Sequence, residues 1–88
     1  MLEALESEIT DFFIANPNSK YVVSDLTSYE RLLAHATSSY NHLYSRSFDK
    51  NGRRTLMVQN RNKYKQFKPV NPSLSKYLMI RSSSTVKS

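Results

Sequence analysis

The pattern of apolar and polar residues predicts alternating helices and strands over the first sixty positions. Leucine, isoleucine and phenylalanine recur at helical spacing from Leu2 to Phe13, and the acidic side chains lie away from that stripe. We therefore predict a helix over Leu2–Ala15, which ends because Pro17 pushes the preceding residue out of the α region. The next segment, Lys20–Ser24, is short, aromatic and β-branched, which predicts a strand.

The stretch Thr27–Leu43 predicts a second amphipathic helix. It begins with TSYE, a capping box in which the Thr27 hydroxyl and the Glu30 carboxylate each bond an amide of the first turn. At about 100° per residue, one face collects the apolar side chains, which we expect to be buried: Tyr29, Leu32, Leu33, Ala36 and Tyr40. The nearly opposite face, which we expect to be exposed, holds Arg31, His35, Ser38 and His42.

Two further strands are predicted after this helix. Tyr44–Phe48 alternates bulky and small side chains, as a half-buried strand does, and Arg53–Gln59 is the return strand. The turn Asp49–Gly52 contains Asn-Gly, which supplies the positive φ angles of a tight hairpin. The predicted fold class is therefore α+β in the order α-β-α-β-β, with a small three-stranded sheet covered on one face by two helices.

The segment after Gln59 is basic, and we expect it to be largely irregular. Residues 60–68, NRNKYKQFK, interleave cations with Tyr64 and Phe67, and two prolines and a serine-rich stretch follow. An apolar patch within residues 74–80 has two interpretations, docking back on the domain or binding a partner. We predict a domain at 1–60 and a tail at 61–88, and we expect the chain to be part of a longer protein.

Charge divides the chain into an acidic half and a basic half. The net charge is +6, but residues 1–45 hold two cations and six carboxylates, whereas residues 46–88 hold eleven cations and one carboxylate. A one-sided basic segment favours a polyanionic partner, either nucleic acid or an anionic membrane surface.

The residue types offer little for catalysis. The chain has no Cys, which excludes a thiolate nucleophile, a disulfide scaffold and a Cys-based zinc site, and its single Gly excludes a glycine-rich phosphate loop. His35 and His42 share one helix face but lack further metal ligands. We predict a non-enzymatic protein without cofactor or metal. The absence of Cys suits a cytoplasmic or nuclear protein, and no apolar run is long enough to span a bilayer.

Arg31 and His35 lie one helical turn apart, so a guanidinium fork and an imidazole share one face. By spacing alone, an ordinary solvated helix face is the better interpretation. The alternative is that the two side chains hold a phosphate or stack on a base.

Residues 27–59 resemble the R-3-H domain, a family named for an Arg and a His separated by three residues. Here these are Arg31 and His35 within ERLLAH, preceded by TSY, and Tyr40, Leu43 and the hairpin with its basic and then apolar strand match too. The resemblance covers about residues 3–60. It implies a three-stranded antiparallel sheet with two helices and binding of single-stranded RNA or DNA without activity of its own. In several members a SUZ motif, a basic RNA-binding stretch, follows, and the tail resembles its beginning.

The predicted function is non-catalytic binding of single-stranded RNA, rather than DNA, by a monomer within a longer RNA-associated protein. The predicted binding residues lie on the second helix, the sheet, the hairpin and the tail: Arg31, His35, Lys20, Arg46, Lys50, Arg53, Arg54, Arg61, Lys63, Tyr64, Lys65 and Phe67. Other aromatic residues are expected in the core: Tyr21, Tyr29, Tyr40 and Phe48. One alternative is a protein-interaction adaptor that acts through the acidic first helix or the tail. The other, a module on an anionic membrane surface, we rank last.

Overall fold

The chain folds in the predicted order α-β-α-β-β, and a third helix follows. The computed structural model describes residues 2–62 and 66–87. The elements in this part of the chain are α1 (Leu2–Ala15), β1 (Lys20–Ser24), α2 (Ser28–Tyr40), β2 (Tyr44–Lys50), β3 (Arg53–Gln59) and α3 (Leu74–Lys87). The predicted α+β class is confirmed.

The three strands form one antiparallel sheet in the order β1-β3-β2, as the family resemblance implied. In the central strand, Val58 lies between Tyr21 and Ser45 of the neighbouring strands. Because side chains alternate across a strand, these three residues share one face of the sheet. That face packs against α1 and α2, and β2 is an edge strand.

The core lies between this face and the two helices. Its buried apolar residues are Ile9, Phe13, Ala34, Leu43, Leu56 and Val58. The two from α1, Ile9 and Phe13, belong to the apolar stripe that the helical spacing predicts. Each fully buried Phe or Leu side chain stabilises the fold by roughly 1.5–3 kcal/mol relative to an exposed one, so this small cluster accounts for much of the stability.

The start of α2 and the hairpin confirm the predictions from local sequence. Glu30 N–H donates to the Thr27 hydroxyl at 3.1 Å, and Thr27 N–H donates to the Glu30 carboxylate at 2.8 Å. The hydrogen bond from the Thr27 backbone lowers the pKa of the Glu30 carboxyl. In the hairpin, Asn51 has φ 54° and Gly52 has φ 78°, the left-handed conformations that an Asn-Gly turn favours.

The predicted orientation of α2 is wrong. Tyr29 and Leu32, expected in the core, are 61% and 64% exposed, whereas Ala34, Thr37 and Ser38 are buried. Small side chains on the buried face let the helix backbone approach the sheet closely. Ser38 tolerates burial because its hydroxyl donates to the Ala34 carbonyl at 2.8 Å.

The prediction of a largely irregular tail is wrong for Leu74–Lys87, which form α3. Glu6 of α1 is 4% exposed, and its carboxylate accepts hydrogen bonds from the backbone N–H groups of Leu74 and Ser75 at the start of α3. Nearer the domain, Val70 N–H donates to Asn41 at 2.9 Å and the Tyr40 hydroxyl donates to the Pro72 carbonyl at 2.6 Å. The described part of the tail therefore packs on the domain up to the first turn of α3.

Candidate nucleic-acid interface

The two charged halves of the sequence become two layers of the structure. Five carboxylates lie on the helices that cover the sheet: Glu3, Glu6, Glu8 and Asp11 on α1, and Glu30 on α2. The opposite face of the sheet, called the open face below, consists of the alternate strand residues that point away from the core. Among them are Lys20 and Val22 of β1, Met57 of β3, and Tyr44, Arg46, Phe48 and Lys50 of β2. Val22 is 54% exposed, so this face is open to solvent.

Cations dominate the open face and the adjoining hairpin. Lys20, Arg46, Lys50 and Arg53 are all exposed there, as the prediction of a nucleic-acid-binding surface requires. The Arg53 guanidinium lies 3.6 Å from the Asp25 carboxylate, and both side chains are more than half exposed. Exposed ion pairs are weak, typically 0.2–1 kcal/mol, so this pair leaves Arg53 able to exchange its partner for a phosphate.

Arg54 lies on the other face of β3 from Arg53, since neighbouring residues of a strand point to opposite sides. Its guanidinium donates to the Asp49 carboxylate across the hairpin at 3.4 Å. The structure therefore brings together most of the predicted sheet cations, but it places Arg54 outside the open face.

Two aromatic rings on the open face each have a guanidinium over them. Arg61 Cζ lies 3.6 Å from the centre of the Tyr44 ring, and Arg46 Cζ lies 5.1 Å from the centre of the Phe48 ring. Both distances are within the range of cation–π attraction. Phe48 was expected in the core, and Tyr44 was not predicted to bind nucleic acid. The bulky–small alternation of β2 indicated two faces but did not tell which of them is buried.

Arg31 is half-buried and folds back over the start of its own helix. Its Nη1 donates to the Leu26 carbonyl at 2.7 Å, and its Nη2 donates to the Ser28 hydroxyl at 3.2 Å. A guanidinium has five N–H donors. These two contacts hold the guanidinium in one place and leave further donors for a phosphate.

His35 is half-buried between α2 and β2, not exposed as predicted. Its Nδ1 lies 2.6 Å from the Ser45 hydroxyl and its Nε2 lies 2.9 Å from the Ser47 hydroxyl. Hydroxyls both donate and accept, so they can bond either tautomer of the ring. The sequence pattern did not identify these two serines as partners of His35. Their small size on a strand that packs against a helix was the one signal that could have indicated it. Their hydroxyls connect His35 to the helix-covered face of the edge strand.

The predicted tail residues that the structure describes divide between this surface and the core. Phe67, expected to stack on bases, is half-buried and packs against Phe13 in the core, with ring centres 5.9 Å apart. Lys63, Tyr64 and Lys65 lie outside the described residues. Arg61 is the one predicted tail residue that the described ranges place on the open face.

A metal cluster and a membrane-spanning helix are both absent from the described ranges. No group of three or more His, Asp or Glu side chains there is placed to hold a metal ion. Within the same ranges, no helix is long and apolar enough to cross a membrane.

Comparison with known proteins identifies a family that the chain matches. The family model of the R-3-H domain matches residues 1–60, which include every element from α1 to β3 and the pair Arg31 and His35. The domain is a single-stranded nucleic-acid-binding domain and is generally non-catalytic. No solved structure matches the chain significantly.

Proposed function

The chain belongs to the R-3-H domain family, and from this premise we propose that it binds single-stranded RNA as a non-catalytic module of a longer RNA-associated protein. The observation that carries the proposal is the separation of charge between the helical layer and the open face. Phosphates are attracted to the cations of the sheet and repelled by the carboxylates of α1. The strand is therefore expected to approach from the side of β2 and the open face.

Arg31 and His35 have different roles in this proposal. Arg31 donates to a phosphate at the start of α2, because its two internal hydrogen bonds orient the guanidinium without using all of its donors. Both nitrogens of His35 already have hydroxyl partners. His35 therefore acts as a positioning residue that sets the distance between α2, which carries Arg31, and β2, which carries Arg46.

RNA is proposed over DNA because the tail resembles the beginning of a SUZ motif, which is a basic RNA-binding stretch. Direct competition tests this preference. A labelled RNA strand bound to the full chain is displaced by unlabelled RNA or by DNA of the same sequence. We expect RNA to compete at lower concentration, and equal competition by the two strands contradicts the preference for RNA while leaving single-strand binding intact.

The binding face is tested by fluorescence anisotropy with a labelled single-stranded RNA at several salt concentrations. Arg46→Ala removes an open-face cation, and Lys76→Ala removes an exposed cation of α3 as a matched control. For single strands the slope of log affinity against log salt is negative, and each lost phosphate contact reduces its magnitude by about 0.7. We expect this change for Arg46→Ala only. Equal effects of the two variants would show that the open face is not the binding surface.

A protein-interaction adaptor is the second candidate function, and one observation favours it. Four apolar side chains of α3 are exposed to 37–68%: Tyr77, Leu78, Met79 and Ile80. An exposed apolar patch of this kind is typical of protein interfaces. The test variant is Met79→Glu, which places a negative charge among these apolar side chains and should abolish association with a protein partner without changing RNA affinity. A loss of RNA affinity in this variant would assign the patch to RNA binding instead.

A further inference from the structure

We infer that Tyr44 and Phe48 form a platform on the open face of the sheet on which two bases of the bound strand stack. This inference rests on the proposed binding of single-stranded RNA and adds the contacts that recognise bases. Base stacking on aromatic side chains is a general means of holding single strands, because every base has a π face.

The position of the two rings supports this role. Both are half-buried on the face that points away from the core cluster, so they are not needed to fill the space beneath the helices. They are four residues apart on one strand, which corresponds to about 13 Å at 3.3 Å per residue. The two rings are therefore too far apart for one base and are placed to accept bases of two separate nucleotides.

The guanidiniums beside the rings favour a nucleotide over an apolar ligand. Arg46 lies between Tyr44 and Phe48 on the same face of β2, where it can neutralise the phosphate between the two bases. The Arg61 guanidinium carbon lies over the Tyr44 ring, 3.6 Å from its centre, where the guanidinium can extend the stack. Bases stack on guanidinium planes as well as on aromatic rings. A base can therefore continue the stack of Tyr44 and Arg61.

The composition around the rings favours a single strand over a duplex. The neighbouring side chains on the open face are the apolar Val22 and Met57 and the cations Lys20 and Lys50. A duplex hides its π faces inside the stack and offers only phosphates and groove edges. The apolar side chains and the two rings can therefore stack on or contact unpaired bases but not the bases of a duplex.

A purely structural role is the alternative explanation of the two rings. Aromatic residues on a solvated sheet face stabilise cross-strand packing, and Phe48 lies opposite Thr55, which is 1% exposed. This alternative predicts a loss of stability when a ring is removed. It predicts no difference between ligands that carry bases and ligands that lack them, and this difference is what the experiment measures.

The experiment compares two labelled strands of equal length, an oligouridine and an abasic ribose-phosphate strand, by anisotropy with the full chain. Phe48→Leu and Tyr44→Leu remove the rings, and Phe48→Tyr and Tyr44→Phe keep them. We expect the leucine variants to bind oligouridine about 5- to 100-fold more weakly, with unchanged affinity for the abasic strand. The conservative variants should bind both strands as the wild type does. The matched control is Tyr29→Leu, since Tyr29 is exposed on α2, and it should bind both strands as the wild type does.

Each outcome supports or overturns the inference. Equal weakening on both strands, or no weakening on either, overturns the stacking platform. Binding of oligouridine by the wild type in those cases leaves the proposed function standing, whereas binding of neither strand refutes the proposed function itself. If a leucine variant unfolds, the inference is tested on the wild type instead, by measuring the NMR signals of the Tyr44 and Phe48 ring protons. Upfield shifts on adding oligouridine, but not the abasic strand, support stacking, and unchanged signals overturn it.

Discussion

Replacing Glu6 is expected to release α3 from the domain. The Glu6 carboxylate is 4% exposed and accepts three hydrogen bonds from the start of α3. The donors are Leu74 N–H at 2.5 Å, Ser75 N–H at 3.1 Å and the Ser75 hydroxyl at 3.0 Å. The carboxylate also lies at the positive end of the α3 dipole, where a negative charge is favourable. It serves as the N-terminal cap of a helix 68 residues away in the sequence.

The expected loss of stability follows from these three hydrogen bonds. A hydrogen bond to a charged group contributes about 1.5–3 kcal/mol, but the freed groups of a detached helix return to water, so the three contributions do not add fully. We expect Glu6→Ala to cost about 3 kcal/mol. Glu6→Gln keeps the shape of the side chain and one acceptor oxygen, so it should cost about half as much. Because α3 contacts the remaining fold mainly through α1, the loss should appear as local detachment rather than global unfolding.

Hydrogen exchange measured by NMR distinguishes local detachment of α3 from global unfolding of the domain. In Glu6→Ala, the exchange protection of the backbone amides of residues 77–81 should fall about 100-fold, which corresponds to about 3 kcal/mol. The amides of Leu56 and Val58 in the central strand should keep their protection. Glu3→Ala, an exposed carboxylate on the same helix, is the control and should change neither set. Unchanged protection in α3, or an equal loss in β3, would refute the reasoning.

Two other predictions concern contacts that hold α2 and β1. His35→Ala should lower the free energy of unfolding, measured by urea denaturation, by about 1–2 kcal/mol, because the hydroxyls of Ser45 and Ser47 lose their partner. If the variant is as stable as the wild type, His35 does not connect α2 to β2. Burial, followed by the hydrogen bond to Glu8, raises the pKa of Tyr21 from 10.0 to about 12. A raised folded-state pKa means that the contribution to stability is fully present below pH 10 and is lost as the pH rises through about 12. Urea denaturation across this range should show the decline in the wild type, and a decline of the same size in Tyr21→Phe would contradict it.

The features that the sequence predicted correctly depend on neighbouring residues. The α1 stripe, the Thr27–Glu30 capping box and the Asn51-Gly52 turn are set by side chains within a few positions of one another. The capping box depends on hydrogen bonds to nearby backbone amides, and the turn depends on positive φ angles of its own residues, so both are determined locally. The element order and the core face of α1 therefore followed from the sequence alone.

The orientation of α2 depends on what packs against it, which the local pattern does not contain. The helix has two candidate faces, and the one with the larger apolar side chains, including Tyr29 and Leu32, lies in solvent. The buried face is made of small residues such as Ala34 and Ser38, because close contact between helix and sheet leaves little space. A count of apolar positions selects the face with the larger side chains, whereas the packing here selects the face whose small side chains fit against the sheet.

The third helix was missed for a related reason. Two backbone amides of its first turn bond Glu6, a residue near the other end of the chain. Its local cap is Ser73, whose hydroxyl accepts from Lys76 N–H at 3.3 Å, but Lys76 stands where a capping box has Glu or Gln. The prolines and serines around it predicted irregular structure instead. The Glu6 carboxylate becomes a neighbour of this helix only after the domain has folded.

The alternation of Tyr44–Phe48 has a different cause from the one first assigned to it. A half-buried strand normally places its bulky residues in the core, but here the serines face the helices and the bulky residues face solvent. The small serines make room for His35 on one side of β2, and the larger side chains form the proposed base-stacking platform on the other. On our proposal, one edge strand serves packing and binding with alternate residues. The open side of this sheet retains its aromatic rings because, on our proposal, the bound strand rather than a helix covers them.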